Sequence, residues 1–207
     1  MSMNFSSKGG SDFKPVPSGS HVAVCNMIAD LGIQRGSQMY PDPKHKIYIR
    51  FELPFERIEY TDKEGKKQEG PRVIGREYTA SMHENANLRI DLESWRGKVF
   101  TDDEAENFDV ASILGKPCML SVVESNKNGK TYSNIKSISG LPKGTPIPRH
   151  DNPLLLYQLG EDGFDKLPEW LQKKVNERIK DDDVTGEGDS DPGPRDGTEI
   201  TDDDIPF

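Results

Sequence analysis

Hydrophobic and polar residues alternate along three stretches in the first half of the chain, which predicts three strands. The clearest stretch is 45–53, whose apolar face is Ile47, Ile49, Phe51 and Leu53. A period of two with one apolar face is typical of a half-buried strand whose other face meets solvent or a ligand. A longer stretch at 19–33, bulged near Asn26, and a less regular one at 72–80 predict the two neighbouring strands.

Helix signals follow these strands. Ser81 and Glu84 have the spacing of a capping box, so a helix is expected after them, with Gly97 as its C-terminal stop. Its core-facing side chains are expected to be Leu88, Leu92 and Trp95. The same pattern at Thr101 and Glu104 predicts a second, shorter helix.

A hairpin ends the first domain. Alternation at 118–123 predicts a strand buried on both faces for part of its length, Asn128 and Gly129 supply a two-residue turn, and 130–138 is the partner strand. The order is three strands, a helical segment and two strands, with a long connection between strands 2 and 3 whose tip lies near Glu64. The predicted fold class is therefore mainly β, a five-stranded OB-fold Greek-key barrel with a helical insertion between strands 3 and 4.

The C-terminal third has a different pattern. A proline-rich stretch at 141–153 predicts an extended connection. A helix is then expected from about 168 to 180, and it is expected to dock on the barrel rather than on a second subunit. Its apolar face is formed by Leu167, Trp170, Leu171, Val175 and Ile179. The predicted organisation is a flexible lead-in at 1–18, an OB-fold domain at 19–140, a linker with an amphipathic helix at 141–180, and a disordered acidic tail at 181–207.

Charge separates the tail from the body. The chain of 207 residues has a formal net charge of -9. Residues 181–207 contain eleven acidic side chains and one basic residue, Arg195, so this segment carries -10 and the remainder carries +1. A mean hydropathy of -0.76 fits a chain that is partly disordered. The body is thus neutral to slightly basic and compatible with a phosphate-rich ligand.

The cysteines and the hydropathy indicate a cytoplasmic protein. Cys25 and Cys118 are far apart in the chain, no secretory signal pattern is recognised, and no apolar run approaches the ~20 residues of a membrane span. A zinc site built from these cysteines is not favoured, because no ligand pair has the usual close spacing. The histidines considered for it are His21, His45, His83 and His150. We expect no metal and no cofactor.

The last six residues point to a function. They are Asp202, Asp203, Asp204, Ile205, Pro206 and Phe207. Three carboxylates followed by an apolar pair at a chain terminus resemble the protein-interaction tip of bacterial single-stranded-DNA-binding proteins, which some bacteriophage-encoded ones share. A solvated acidic tail would explain the carboxylates but not the isoleucine and phenylalanine. The long segment between strands 3 and 4 and the additional helix point to a bacteriophage-type member, acting in the cytoplasm of a bacterial host.

The resemblance implies a binding protein rather than an enzyme. Its domain would bind single-stranded DNA without strong sequence preference during replication, recombination or repair. Its tip would recruit helicases, nucleases, primase and recombination factors, with Phe207 in an apolar pocket and the α-carboxylate near an Arg or Lys. The -10 segment would compete with DNA phosphates, so deleting 181–207 is expected to tighten DNA binding at low salt. A homo-oligomer is compatible with the family.

A sequence-tolerant single-strand binder needs cations along the phosphates and aromatic faces for the bases. The polar face of the second strand supplies Lys46, Tyr48 and Arg50 in alternation. The next strand is expected to extend this face into one groove with Arg76 and Tyr78. A second candidate set on the last strand is Lys130, Tyr132 and Lys136. Each tyrosine also has a structural interpretation, since strands favour aromatic residues.

Two other functions stay open. An OB-like adaptor would bind protein through its domain and would lack affinity for oligonucleotides. A metal-dependent nuclease would need a carboxylate pair such as Asp102 and Asp103, but both lie at a predicted helix start, where acidic residues are expected for electrostatic reasons. No phosphate-binding glycine loop accompanies them.

Overall fold

A computed structural model describes residues 15–61 and 65–180 of the chain. Most of the predicted lead-in, the tip of the long hairpin at 62–64 and the acidic tail at 181–207 with its six-residue terminus lie outside the described residues. The predictions made for those segments therefore stay predictions.

Five antiparallel strands form a curled half-barrel, so the mainly β class is confirmed and the architecture is compatible with an OB-like barrel. The strands are β1 Gly19–Gln34, β2 Lys44–Thr61, β3 Lys67–Thr79, β4 Pro117–Lys127 and β5 Lys130–Ser139. Their order across the sheet is β3-β2-β1-β4-β5. A short sixth strand, β6 Leu155–Tyr157, pairs in parallel with β1.

Strand β1 is the centre of the sheet. Its first residues pair with β4, from Gly19 opposite Val122 to Val24 opposite Pro117. Its later residues pair with β2 on one side and with β6 on the other. The register shifts between Cys25 and Met27, which confirms the predicted bulge at Asn26.

Strands β2 and β3 are longer than predicted. Their ladder is interrupted after Leu53, resumes at Arg57 opposite Pro71 and continues to Thr61 opposite Lys67. The side chains of this distal part are mostly polar and exposed. Alternating hydrophobicity marks a strand only where one face is buried, so the exposed half of the hairpin had no such signal.

The helices are α1 Asn87–Arg96, α2 Asp102–Glu106 and α3 Glu169–Asn176. The Ser81–Glu84 capping prediction is wrong, because α1 begins later and Ser81 Oγ accepts the His83 backbone N–H instead. The capping box of Thr101 and Glu104 is confirmed at the start of α2. Gly97 ends α1 with a φ of 69° and donates its N–H to Glu93 O, as predicted. None of the helices in the described ranges has the length and apolar character needed to cross a membrane.

Two hydrophobic cores lie on opposite faces of the sheet. The main core fills the inside of the half-barrel, where Leu88 and Leu92 of α1 pack on inward-facing strand residues such as Phe51 and Leu120. The second core covers the outer face of β1 and joins it to β6 and α3. Its buried members are Met27, Ala29, Leu31, Tyr157, Leu167, Leu171 and Val175.

Helix α3 packs on the barrel, as expected, but it differs from the prediction in two ways. It ends at Asn176 rather than near 180. Leu171 and Val175 are buried, whereas Trp170, which was expected on the same buried face, is 49% exposed. The exposed indole leaves a large aromatic surface beside the sheet.

Candidate nucleic-acid interface

The face formed by Lys46, Tyr48 and Arg50 is not open, which corrects the first sequence prediction. The Tyr48 ring meets Trp170 of α3 edge to face, with the ring centroids 5.0 Å apart. Arg50 Nε donates to Asn26 Oδ1 over 3.1 Å, and Lys46 Nζ donates to Thr79 Oγ1 over 3.1 Å. Burial raises the pKa of Tyr48 to about 12 and lowers the pKa of Arg50. Tyr48 is therefore a packed side chain.

The chain that follows the barrel is anchored to this face by Glu52. The Glu52 carboxylate is fully buried and accepts the Asp151 N–H over 2.6 Å and the Asn152 N–H over 2.9 Å. Asn152 Nδ2 donates to the same carboxylate over 2.7 Å. Further along, Lys174 of α3 forms an ion pair with Glu77 of β3. The segment that covers this face, residues 150–177, is thus fixed near both of its ends.

Arg76 and Tyr78 lie on the opposite face of the sheet, so the expected single groove is not formed. Arg76 is opposite Ile49 and Tyr78 is opposite Ile47, both of which point into the main core. Tyr78 Oη donates to Asp91 Oδ2 over 2.8 Å, and Arg76 Nη1 reaches the same oxygen at 3.0 Å. Desolvation, followed by the nearby Asp91 charge, raises the pKa of Tyr78. Both side chains join β3 to α1.

The second candidate set is exposed on the hairpin of β4 and β5. Asn128 and Gly129 have φ values of 53° and 73°, which confirms the predicted two-residue turn. The turn places Lys127 opposite Lys130 and Ser125 opposite Tyr132. Opposed residues of an antiparallel pair share a face, so these four side chains lie together on the outer side of the sheet. Tyr132 is 48% exposed.

Three lysines of this hairpin are accessible to a ligand. Lys127, Lys130 and Lys136 are exposed, and none of them forms an ion pair with a residue in the described part of the chain. Lys136 is the additional residue at a register shift, since Ile135 is opposite Val122 and Ser137 is opposite Ser121. We call the outer surface formed by Val123, Ser125, Lys127, Lys130, Tyr132 and Asn134 the hairpin face.

Sequence reasoning missed two parts of this surface. Lys127 was not proposed, although a two-residue turn at Asn128 already implies that it lies opposite Lys130. The strand around Val123 was expected to be buried on both faces, but Cys118, Leu120 and Val122 are buried while Val123 is 40% exposed. The second face of β4 is therefore part of the surface.

Other exposed aromatic side chains lie on the hairpin of β2 and β3. Phe55 and Tyr60 are both exposed. Tyr60 rests over Gly70, where a Cβ would be 3.1 Å from the ring. Since β1 begins at Gly19, both hairpins project beyond it at the same end of the sheet.

The residues considered for metal or nuclease chemistry have structural roles. Cys25 and Cys118 are buried, and burial raises the pKa of Cys25 to about 12. His21 contacts Glu56 and the Pro17 carbonyl. Asp102 and Asp103 lie in the first turn of α2. Within 15–61 and 65–180, no group of three or more His, Cys, Asp or Glu side chains is arranged to hold a metal ion.

Comparison with protein-family models found no match for the chain, and comparison with curated proteins found none. The candidate function therefore depends on the residues of the chain itself.

Proposed function

We propose that the protein binds single-stranded DNA, with little sequence preference, on the hairpin face. The observation that carries the proposal is the half-exposed ring of Tyr132, which lies two residue pairs away from the opposed Lys127 and Lys130, on the same face. The hairpin segment 122–136 contains three lysines and one acidic residue, Glu124. This surface thus combines positive charge with an accessible aromatic ring.

The spacing of these side chains suits a nucleic-acid strand. Side chains on one face of a strand recur about every 6.6 Å. A base stacked on Tyr132 would have its flanking phosphates within reach of the lysine pair. Stacking on an aromatic side chain contributes roughly 1–3 kcal/mol per base and tolerates any base, because every base has a π-face.

We further propose that the curled sheet is an OB-type Greek-key barrel, with α1 and α2 inserted between β3 and β4. The seam between the edge strands β3 and β5 supports this. Arg72 of β3 donates to Pro15 O over 3.1 Å, and Ser133 of β5 donates to Val16 O over 2.7 Å. Val16 itself is buried in the main core, so residues 15 and 16 bridge the two edges. OB-folds are recurrent oligonucleotide binders.

The C-terminus supplies the second half of the proposal. Its last six residues resemble the interaction tip of single-stranded-DNA-binding proteins, and a bacteriophage origin fits the additional helix. The tip would dock Phe207 in an apolar pocket of a DNA-processing protein, while the aspartates speed the encounter. Removing Phe207 should abolish binding to purified bacterial helicases, nucleases or primase and leave DNA affinity unchanged.

The test is a titration of a fluorescent poly-dT oligonucleotide at several salt concentrations. The full-length protein should bind and should weaken as salt rises. Tyr132→Ala should lose roughly 1–3 kcal/mol of binding free energy. The control is Tyr60→Ala, which removes an equally exposed tyrosine from the other hairpin and should bind as the wild type does.

Three outcomes would contradict the proposal or change it. No binding at low salt would exclude single-stranded DNA as the ligand and favour the adaptor function. Equal losses of DNA affinity in Tyr132→Ala and Tyr60→Ala would mean that binding is not specific to the hairpin face. An unchanged or weaker affinity after deletion of 181–207 at low salt would exclude competition by the acidic segment.

A further inference from the structure

Trp170 is exposed in a way that packing of α3 does not require. Its neighbours Leu171 and Val175 dock the helix and are 0% and 1% exposed. Half of the indole, the largest side chain of the helix, faces water. Tryptophan joins a large apolar ring to a polar N–H and is enriched at binding interfaces, so a half-exposed indole is a candidate contact for a ligand.

The indole is held in a defined position by the sheet below it. Tyr48 and Trp170 meet at an interplanar angle of 88°, the edge-to-face arrangement that aromatic pairs prefer. Tyr48 in turn lies against β3 at Gly75, where a Cβ would be 2.1 Å from Tyr48 Oη. The absence of a side chain at Gly75 therefore lets Tyr48 support Trp170, and the indole is ordered before any ligand arrives.

Basic side chains outnumber acidic ones along residues 165–180, and the charges next to Trp170 are of both signs. Residues 165–180 contain five basic and three acidic side chains. Lys173 and Lys174 lie one helical turn beyond Trp170 on the same side. Their acidic partners are Glu177, 3.7 Å from Lys173, and Glu77, paired with Lys174. The hollow beside the indole is lined by Lys166 and by the acidic Asp165 and Glu169.

We propose that Trp170 is a second base-stacking platform for single-stranded DNA, separate from the hairpin face. This inference rests on the function proposed above. Tyr48, under the indole, is opposite Ala29 of β1, whereas the hairpin face extends beyond Gly19. Ala29 and Gly19 are ten residues apart along β1, roughly 33 Å at the usual rise of a strand. A DNA strand that reaches both Trp170 and the hairpin face would cross the outer side of the protein.

The residues that precede the acidic segment lie at the end of α3. Ile179 donates its N–H to Ile33 O at the far end of β1, over 2.8 Å. Lys180, the last residue before the acidic segment, therefore follows a residue that is held at this end of the sheet. Competition by the acidic segment should accordingly act on the Trp170 platform before it acts on Tyr132.

Intrinsic fluorescence tests the platform directly, because the chain has two tryptophans. The other, Trp95, donates its Nε1–H to Pro117 O and packs against Phe51. The Trp95→Phe variant leaves Trp170 as the only indole, and its emission should be quenched on titration with a dT oligonucleotide of about 16 nucleotides, the upper end of the OB-fold site size. The Trp170→Phe variant, which keeps Trp95, should show no quenching.

Affinity separates stacking from a structural role. Trp170→Ala should weaken binding of the same labelled oligonucleotide about 5-fold or more, as expected for loss of one stacked base. Trp170→Phe keeps an aromatic face and should recover most of the affinity. If the alanine variant does not fold, the quenching experiment still decides.

The two proposals fail in different ways. Binding measured by fluorescence anisotropy, together with unchanged Trp170 emission and wild-type affinity of Trp170→Ala, would overturn the platform and leave the hairpin face standing. Loss of affinity in Trp170→Phe equal to that in Trp170→Ala would indicate a structural role and would also overturn it. No binding of any oligonucleotide would overturn both.

Discussion

Two regions of the outer sheet surface have similar sequences and opposite environments. Strand β2 carries Lys46 and Tyr48 in alternation, and β5 carries Lys130 and Tyr132. Tyr48 packs against α3 and Lys46 bonds to β3, whereas Lys130 and Tyr132 are exposed. The difference comes from residues 150–177, which bind to the first region through the buried Glu52 and do not reach the second. Alternation shows that a strand face is outside the main core, but it does not show whether another segment covers that face.

The largest expected effect tests whether the covering segment, residues 150–177, is an integral part of the fold. Leu171 is fully buried between α3 and β1. Leu171→Ala should lower the free energy of unfolding by about 2–5 kcal/mol, because it removes apolar contacts and leaves a cavity. Urea denaturation measures this.

The matched control truncates an apolar residue of the open region. Val123→Ala, on the hairpin face, should change stability by less than about 0.5 kcal/mol, since the side chain is 40% exposed. Similar losses in the two variants would remove the distinction between the covered and the open region.

The second prediction concerns the charge of the open region. Replacing Lys127, Lys130 and Lys136 with Gln should reduce the slope of log K against log salt by about 2, at about 0.7 per phosphate contact for a single strand. Lys98→Gln is the control, because Lys98 pairs with Glu104 on the helical side. A slope that is unchanged in the triple variant would remove these lysines from the DNA site.

The third prediction concerns Gly75, which leaves room for Tyr48 beneath α3. Gly75→Ala should destabilise the protein by about 1–3 kcal/mol, because the new Cβ would lie 2.1 Å from Tyr48 Oη. Tyr48→Leu should relieve the clash, so the loss in the double variant should be smaller than the sum of the two single losses. Additive losses would show that Gly75 does not act through Tyr48.

The smallest expected effect lies outside both regions and depends on pH. Hydrogen bonds from Lys98, the Thr101 N–H and Arg96 lower the pKa of Glu104 from its ordinary value of 4.5 to about 2. A carboxyl with a lowered pKa in the folded state stabilises the protein above its unfolded pKa, and this contribution is lost as the pH falls from about 4.5 to 2.

Glu104→Gln should therefore lower the melting temperature at pH 7 and have little effect near pH 2. Glu106→Gln, on the same helix, is the control, because Glu106 forms no ion pair within the described residues. A Glu104→Gln effect of the same size at both pH values would contradict the assignment.

Local signals predicted much of the fold. The turn at Asn128 and Gly129, the capping box of Thr101 and Glu104, and the helix stop at Gly97 each depend on a few neighbouring residues, and each is confirmed. The bulge at Asn26 is confirmed as well. Such features have their physical cause within a short piece of chain.

The candidate site was less predictable, because its exposure depends on contacts between distant residues. Glu52 binds Asn152, which is 100 residues away in sequence. Tyr78 and Arg76 turn inward because Asp91 of α1 accepts from both. Trp170 has the spacing of a core residue and is exposed only because α3 lies with Leu171 against the sheet. None of these causes is visible in the local pattern of the strands.

Strand β1 contributes residues to both cores. Ala23, Cys25 and Ile28 belong to the main core, whereas Met27, Ala29 and Leu31 belong to the second. If one core unfolded alone, it would expose one face of β1 while the other face stayed packed. We therefore expect a single cooperative unfolding transition. Amide hydrogen exchange along the middle of β1 should proceed only through global unfolding, and α3 should not open as a separate unit of local unfolding. Trp170 would then meet its ligand on a surface that is as stable as the domain itself.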